Sequence, residues 1–144
     1  MDVVERFNGS PFVQLLGIEV REAADGHAEG WLQFADELRS DPNGRVAHGG
    51  ATYALADTIG GAAVVSMAED VTPTVDMRID YLAPVTGDVY ASADVLRFGA
   101  SIAMVRVELD DGEGTTVATA TGTYKTGGQG GETPWLSQPV KRDG

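Results

Sequence analysis

The sequence predicts an α+β fold in which an antiparallel sheet wraps around one long, buried central helix. Three observations predict it. The first is the stretch 48–67. From Ala51 onward it reads as one helix, dominated by Ala, Leu, Ile and Val, with no Lys, Arg or Glu before Glu69. A helix apolar on nearly every side is buried in a protein or in a membrane. Asp57 and several glycines break its run, and no other stretch is a spanning segment, so it is read as buried. The second observation is the set of four long segments after it, each alternating with a period of two, which fits an antiparallel sheet. The third is the turn chemistry between them, such as Asp110-Asp111-Gly112-Glu113-Gly114.

In chain order, residues 2–14 carry apolar positions at helical spacing, with a break at Gly9-Ser10-Pro11 and a stop at Gly17. Ser10 is read as a cap and Pro11 as the first helical residue. Residues 18–24 and 27–34 read as a hairpin about Ala24-Asp25-Gly26. The second strand puts Ala28, Gly30, Leu32 and Phe34 on one face. His27 beside the turn is expected to be exposed and idle. Asp41-Pro42-Asn43-Gly44 is a turn leading into the central helix, whose small residues let a sheet or a partner helix approach closely. Residues 69–73 connect to the sheet.

Residues 74–82 put Val75, Met77, Ile79 and Tyr81 on one face and Thr74, Asp76, Arg78 and Asp80 on the other. Residues 88–98, 101–110 and 115–125 complete the sheet, and the domain is taken as 1–126. From Gly127 the Gly-rich composition reads as a flexible tail, 127–144, in which Trp135 and Leu136 either dock or hang free.

A chain of 144 residues is one domain with enough length for a solid core. Cysteine is absent, which excludes disulfides and thiolate chemistry. No metal or organic cofactor has a visible signature. The formal net charge of -12 argues against nucleic acid and anionic membranes as partners. The first twenty residues lack a basic start followed by an apolar core, so the default location is cytoplasmic. The acidic, lysine-poor composition fits either adaptation to salt or a merely acidic soluble protein.

Two features of the central helix carry chemistry. Asp57 is a carboxylate in apolar surroundings, costly unless it is paired, hydrogen-bonded, protonated or open to water at the helix edge. Gly49 and Gly50 stand where the first helical N–H groups lack intrahelical partners, a place suited to an oxygen on which negative charge develops. They are eight and seven positions from Asp57, so Gly49 and Asp57 lie roughly 12 Å apart along the axis at about 1.5 Å per residue. One helix therefore cannot bring both to one acyl carbon. Two antiparallel copies across a twofold axis can, twice per dimer.

His48-Gly49-Gly50, Asp57 nine residues after the His, the run 74–84 and the ending 117–125 together resemble the hotdog-fold acyl-CoA thioesterases of the PaaI type, over about residues 10–126. The resemblance implies a hotdog fold, at least a homodimer and a homotetramer built as a dimer of dimers, and hydrolysis of an aromatic or medium-chain acyl-CoA. It implies that Asp57 acts as nucleophile or general base, Gly49 as oxyanion donor, Thr74 as a hydroxyl placing water, and His48 as an orienting group. Gly50 lets a ligand approach the helix start closely. Coenzyme A phosphates on so acidic a chain need a local basic patch, for which Arg45, Arg78, Arg97 and Arg106 are the candidates; Arg97 is foremost, because the family often carries basic groups at that strand end. The family often carries an Asn six residues before the motif His; here position 42 is Pro and Asn43 follows, so Asn43 is either a substrate contact or a turn residue. Two other readings stay open: a hotdog hydratase or dehydratase using His48 and Asp57, and a non-catalytic acyl-CoA-binding module.

Overall fold

The computed structural model describes residues 1–127 and 134–135. The expected tail falls largely on residues outside the described ones.

Two short helices open the chain. Helix α1 (Val3–Asn8) is capped by Asp2, whose side chain accepts from the Glu5 N–H at 3.0 Å. Helix α2 (Pro11–Leu16) starts at Ser10 and stops at Gly17, which takes the left-handed conformation (φ 76°) that glycine adopts without steric cost. Strands β1 (Ile18–Ala24) and β2 (His27–Leu32) form the expected hairpin. Asp25 (φ 52°) and Gly26 (φ 81°) give it a two-residue turn with positive φ at both centres, the geometry that matches strand twist. The Gly26 N–H donates to Ser66 Oγ at 2.9 Å, tying the hairpin to the far end of the central helix. Strand β2 ends at Leu32, two residues short of the expected end, because the Phe34 N–H leaves the ladder for the Asp88 carboxylate at 2.8 Å.

The central helix α3 (Gly49–Ala68) is 20 residues long and begins two residues before the expected Ala51. By length and apolarity it could cross a membrane, but Leu55, Ala56, Ile59, Ala62, Ala63 and Val64 are wholly buried against the sheet. Strands β3 (Thr74–Tyr81), β4 (Val89–Phe98), β5 (Ile102–Asp110) and β6 (Thr116–Lys125) follow. All six strands pair antiparallel in the order β1-β2-β4-β5-β6-β3. The sheet wraps one face around α3, as the hotdog fold requires. Ala28, Ala93, Ala103, Val105, Val107 and Leu109 fill that inner face. The alternation read for β2 holds as far as Leu32, and β5 alternates throughout, with Ala103, Val105, Val107 and Leu109 buried.

Alternation fails in β3. Thr74 pairs with Tyr124 and Asp76 pairs with Thr123, so Val75 is an extra, bulged residue, 62% exposed. A one-residue bulge switches the side-chain faces on one side of it. Thr74 therefore joins buried Met77 on the helix-facing side, and not Asp76 and Arg78 on the outer side as strict alternation predicts. A second bulge, between Val95 and Arg97 in β4, sets Arg97 opposite half-buried Met104 on the outer face.

Candidate active site

The start of α3 is held from three directions. The His48 N–H donates to the Leu38 carbonyl at 2.7 Å, and the Ala47 N–H donates to the Val85 carbonyl at 2.8 Å. Arg39 donates to the carbonyls of Asp36, Pro42 and Gly44 and so locks the preceding loop. His48 is the helix cap: its Nδ1 accepts from the Gly50 N–H at 2.8 Å. The neutral ring then carries its proton on Nε2. The Gly50 amide is thus occupied, whereas the Gly49 N–H has no partner among the described residues.

Gly49 lines a cavity of about 400 Å³ with Val46, Thr52, Tyr81 and Val85. Tyr81 donates to the Gly49 carbonyl at 2.7 Å. A Cβ at position 49 would stand 3.1 Å from the Tyr81 ring, tighter than ordinary contact, so a side chain there would press the ring outward.

Asp57 sits two turns on, half-buried, on the side of α3 that also carries exposed Gly50 and Tyr53. Thr74 Oγ1 donates to Asp57 Oδ1 at 2.7 Å. The Tyr124 hydroxyl lies 3.0 Å from the same Oδ1 and 2.9 Å from the Asp57 carbonyl oxygen. Thr74 and Tyr124 are cross-strand partners, so one rung of the β3–β6 ladder presents two hydroxyls to one carboxylate. Burial, and then the charge of Asp57, push the Tyr124 phenol well above its ordinary value, so it remains a donor. Burial, and then the Asp57 and Asp76 charges, also raise Tyr53. Tyr124 is 1% exposed, and the sequence reading gave it no role. The available signal was a lone aromatic in a strand of Thr, Ala and Gly, since a buried phenol needs a partner. Gly60 makes room for it: a Cβ there would stand 2.8 Å from the Tyr124 oxygen.

Asp57, Thr74 and Tyr124 line a cavity of about 430 Å³. A larger hollow of about 680 Å³ lies between segments 84–90 and 111–113 and holds none of the expected site residues. Asp88, Asp111 and Glu113 in its wall repel an anionic ligand.

The structure thus joins Thr74 to Asp57 and His48 to Gly50, and separates the rest. Asn43 is exposed, its N–H bound to the Asp41 carboxylate at 2.8 Å in a turn, and it does not line the cavity at Gly49. Arg78 is exposed on the outer face, 3.3 Å from Asp80. Arg97 shares that face, with the sheet between it and Asp57 of its own chain.

His27 is a correction. Its Nδ1 lies 2.7 Å from Asp94, and its Nε2 lies 3.1 Å from Glu29 and 3.4 Å from Glu22. The hydrogen bond to Asp94 is the largest cause of a raised His27 pKa, with burial opposing it. The short Asp-Gly turn puts His27 opposite Asp94 on the outer face, a pairing no single strand reveals. Among the described residues, Glu22, His27 and Glu29 are the one grouping with metal-ligand spacing, away from Asp57 and across the sheet.

The sequence profile of the thioesterase superfamily matches residues 44–118, which include Gly49, Asp57 and Thr74. The chain belongs to the thioesterase superfamily. A protein of Halobacterium salinarum named as a candidate esterase is 31% identical over 125 residues, covering 78% of this chain and 82% of its own. The medium/long-chain acyl-CoA thioesterase YigI of Escherichia coli is 30% identical over 135 residues, 81% of this chain and 86% of its own. A mutant of the phenylacetic acid degradation protein PaaI of Thermus thermophilus superposes with a TM-score of 0.74 at 30% identity, covering 81% of this chain and 99% of that one. This superfamily member is a thioesterase enzyme with the PaaI-type hotdog fold.

Proposed function

We propose that this thioesterase hydrolyses the thioester of a medium-chain or aromatic acyl-CoA, releasing the free acid and the coenzyme A thiol, at sites shared between two subunits. The observation that carries this reading is the Asp57 carboxylate, oriented by two hydroxyls in a cavity while remaining half-exposed. In the partner subunit the unpaired Gly49 N–H at the helix start polarises the thioester carbonyl. Asp57 either attacks the carbonyl carbon or takes a proton from the attacking water. Thr74 and Tyr124 hold one carboxylate oxygen and leave the other to the reaction.

Sharing follows from the roughly 12 Å between Gly49 and Asp57 along one helix. It is supported by β3, an edge strand whose outer backbone groups pair with no other strand among the described residues. Val75, Tyr81 and Leu82 are exposed along it, beside Tyr53 on α3. A twofold pairing of β3 would cover all four and set the helices antiparallel. A dimer of dimers belongs to this reading. The acyl preference rests on the likeness to YigI and PaaI. Coenzyme A phosphates reach Arg78 or Arg97 only around a sheet edge.

Complementation tests the proposal. Asp57→Asn and Gly49→Val homodimers are each expected to lose nearly all turnover while staying folded. Co-refolding equal amounts makes half the dimers mixed, each with one site carrying both lesions and one carrying neither. Roughly a quarter of wild-type activity should return. No recovery, with mixed dimers confirmed by mass, would place both groups in one chain or remove one from catalysis.

A further inference from the structure

The cavity at Asp57 has two kinds of wall. Asp57 and Thr74 come from α3 and β3, within the stretch 44–118 that the superfamily profile matches. Phe7, Phe12 and Val13 come from α1 and α2, and Trp135 comes from beyond the last strand, all outside that stretch. In the thioesterase reading the reacting carbon sits at Asp57, so an acyl group placed in this cavity runs from Asp57 along the walls supplied by α1, α2 and Trp135. Those walls are mainly apolar. Two aromatic side chains there are largely open to water: Phe12, 56% exposed, and Trp135, 60% exposed. An apolar chain seated against them would remove that surface from water, at roughly 25 cal/mol per Å². A larger acyl group has more apolar surface to place against them than an acetyl group has.

We infer that Trp135 forms an outer wall of the acyl subsite and sets a preference for medium-chain and aromatic acyl groups over short ones. The inference rests on the thioesterase reading of Asp57. It deepens that reading by assigning acyl selection to Trp135. Trp135 touches substrate but supplies no chemistry, so its removal affects selection and leaves hydrolysis of short substrates intact.

The test uses the full chain. Trp135→Ala is assayed with acetyl-CoA, octanoyl-CoA and phenylacetyl-CoA. kcat/KM should fall about tenfold or more for the two larger substrates and stay within about twofold for acetyl-CoA, the range that apolar pocket contacts give. An equal fall for all three, or none for octanoyl-CoA, overturns the assignment. A second measurement needs no turnover. The chain has two tryptophans, and Trp31 stacks on Tyr90, so Trp31→Phe leaves Trp135 as the sole indole. Octanoate should shift its emission to the blue in a saturable way, and coenzyme A alone should not. No shift with octanoate, or a shift with coenzyme A alone, overturns the assignment. If the wild-type chain hydrolyses none of the three esters while octanoate still shifts Trp135, the thioesterase reading fails and the apolar wall stands.

Discussion

Asp57 was legible at the residue scale because an acid among Ala, Leu and Ile is costly without a partner. Its partners were less legible. Thr74 entered by resemblance, on a strand face that the Val75 bulge then reversed, and Tyr124 did not enter at all. Removing the Tyr124 hydroxyl tests its share. Tyr124→Phe is expected to cost about 1 kcal/mol of stability, the usual net worth of one hydrogen bond. It should lower kcat by about tenfold with little change in KM, because Asp57 loses an orienting donor. Denaturant melts and steady-state kinetics on the same sample read both.

His27 offers a pH test at the same scale. Its folded pKa is raised, chiefly by Asp94. The stabilisation is therefore fully present below the unfolded value of about 6.5 and is lost as pH rises through the higher folded value. The melting temperature of the wild type should exceed that of His27→Gln at about pH 5.5, and the gap should close by about pH 8.5. A gap that widens with pH would contradict the raised value.

At the element scale, the contact between α3 and the sheet decides how near Tyr124 comes to Asp57. Gly60 sets that distance, since a Cβ there would meet the Tyr124 oxygen at 2.8 Å and Val105 at 3.2 Å. Alanine gains about 1 kcal/mol in helix propensity. Overpacking a buried contact costs about 1–3 kcal/mol. The second effect wins here because Val105, Val107 and Tyr124 are all buried and cannot yield. Gly60→Ala should therefore melt lower than wild type and turn over more slowly, whereas an exposed Gly87→Ala, whose Cβ would meet nothing within 4 Å, should do neither. Helix existence, strand number and most strand faces were readable because periodicity encodes burial. Bulges at Val75 and Leu96 were not, because alternation within one strand carries no record of its partner's register.

For the whole molecule, charge is the dominant long-range term. A net charge of -12 implies self-repulsion in the compact state, screened as the Debye length falls to about 3 Å at 1 M salt. The melting temperature should rise with KCl from low to molar concentration. A flat response would count against adaptation to salt. The same titration followed by light scattering tests the proposed assembly, since screening would ease the approach of two acidic subunits along β3.

The sequence by itself determined the α+β class, the central helix, the Ser10 cap and Gly17 stop of the second N-terminal helix and the Asp-Gly hairpin, and it singled out Gly49 and Asp57 as candidates. These are local: each depends on residues within a turn or two of one another, or on a period along one element. Tertiary structure alone decided that Thr74 faces the helix, that Tyr124 reaches Asp57 and that Arg78 and Arg97 lie across the sheet. Each is a meeting of groups set by strand order and register. Those are fixed when all six strands close around one helix, since a partner 17 or 67 residues away leaves no periodic trace in the chain.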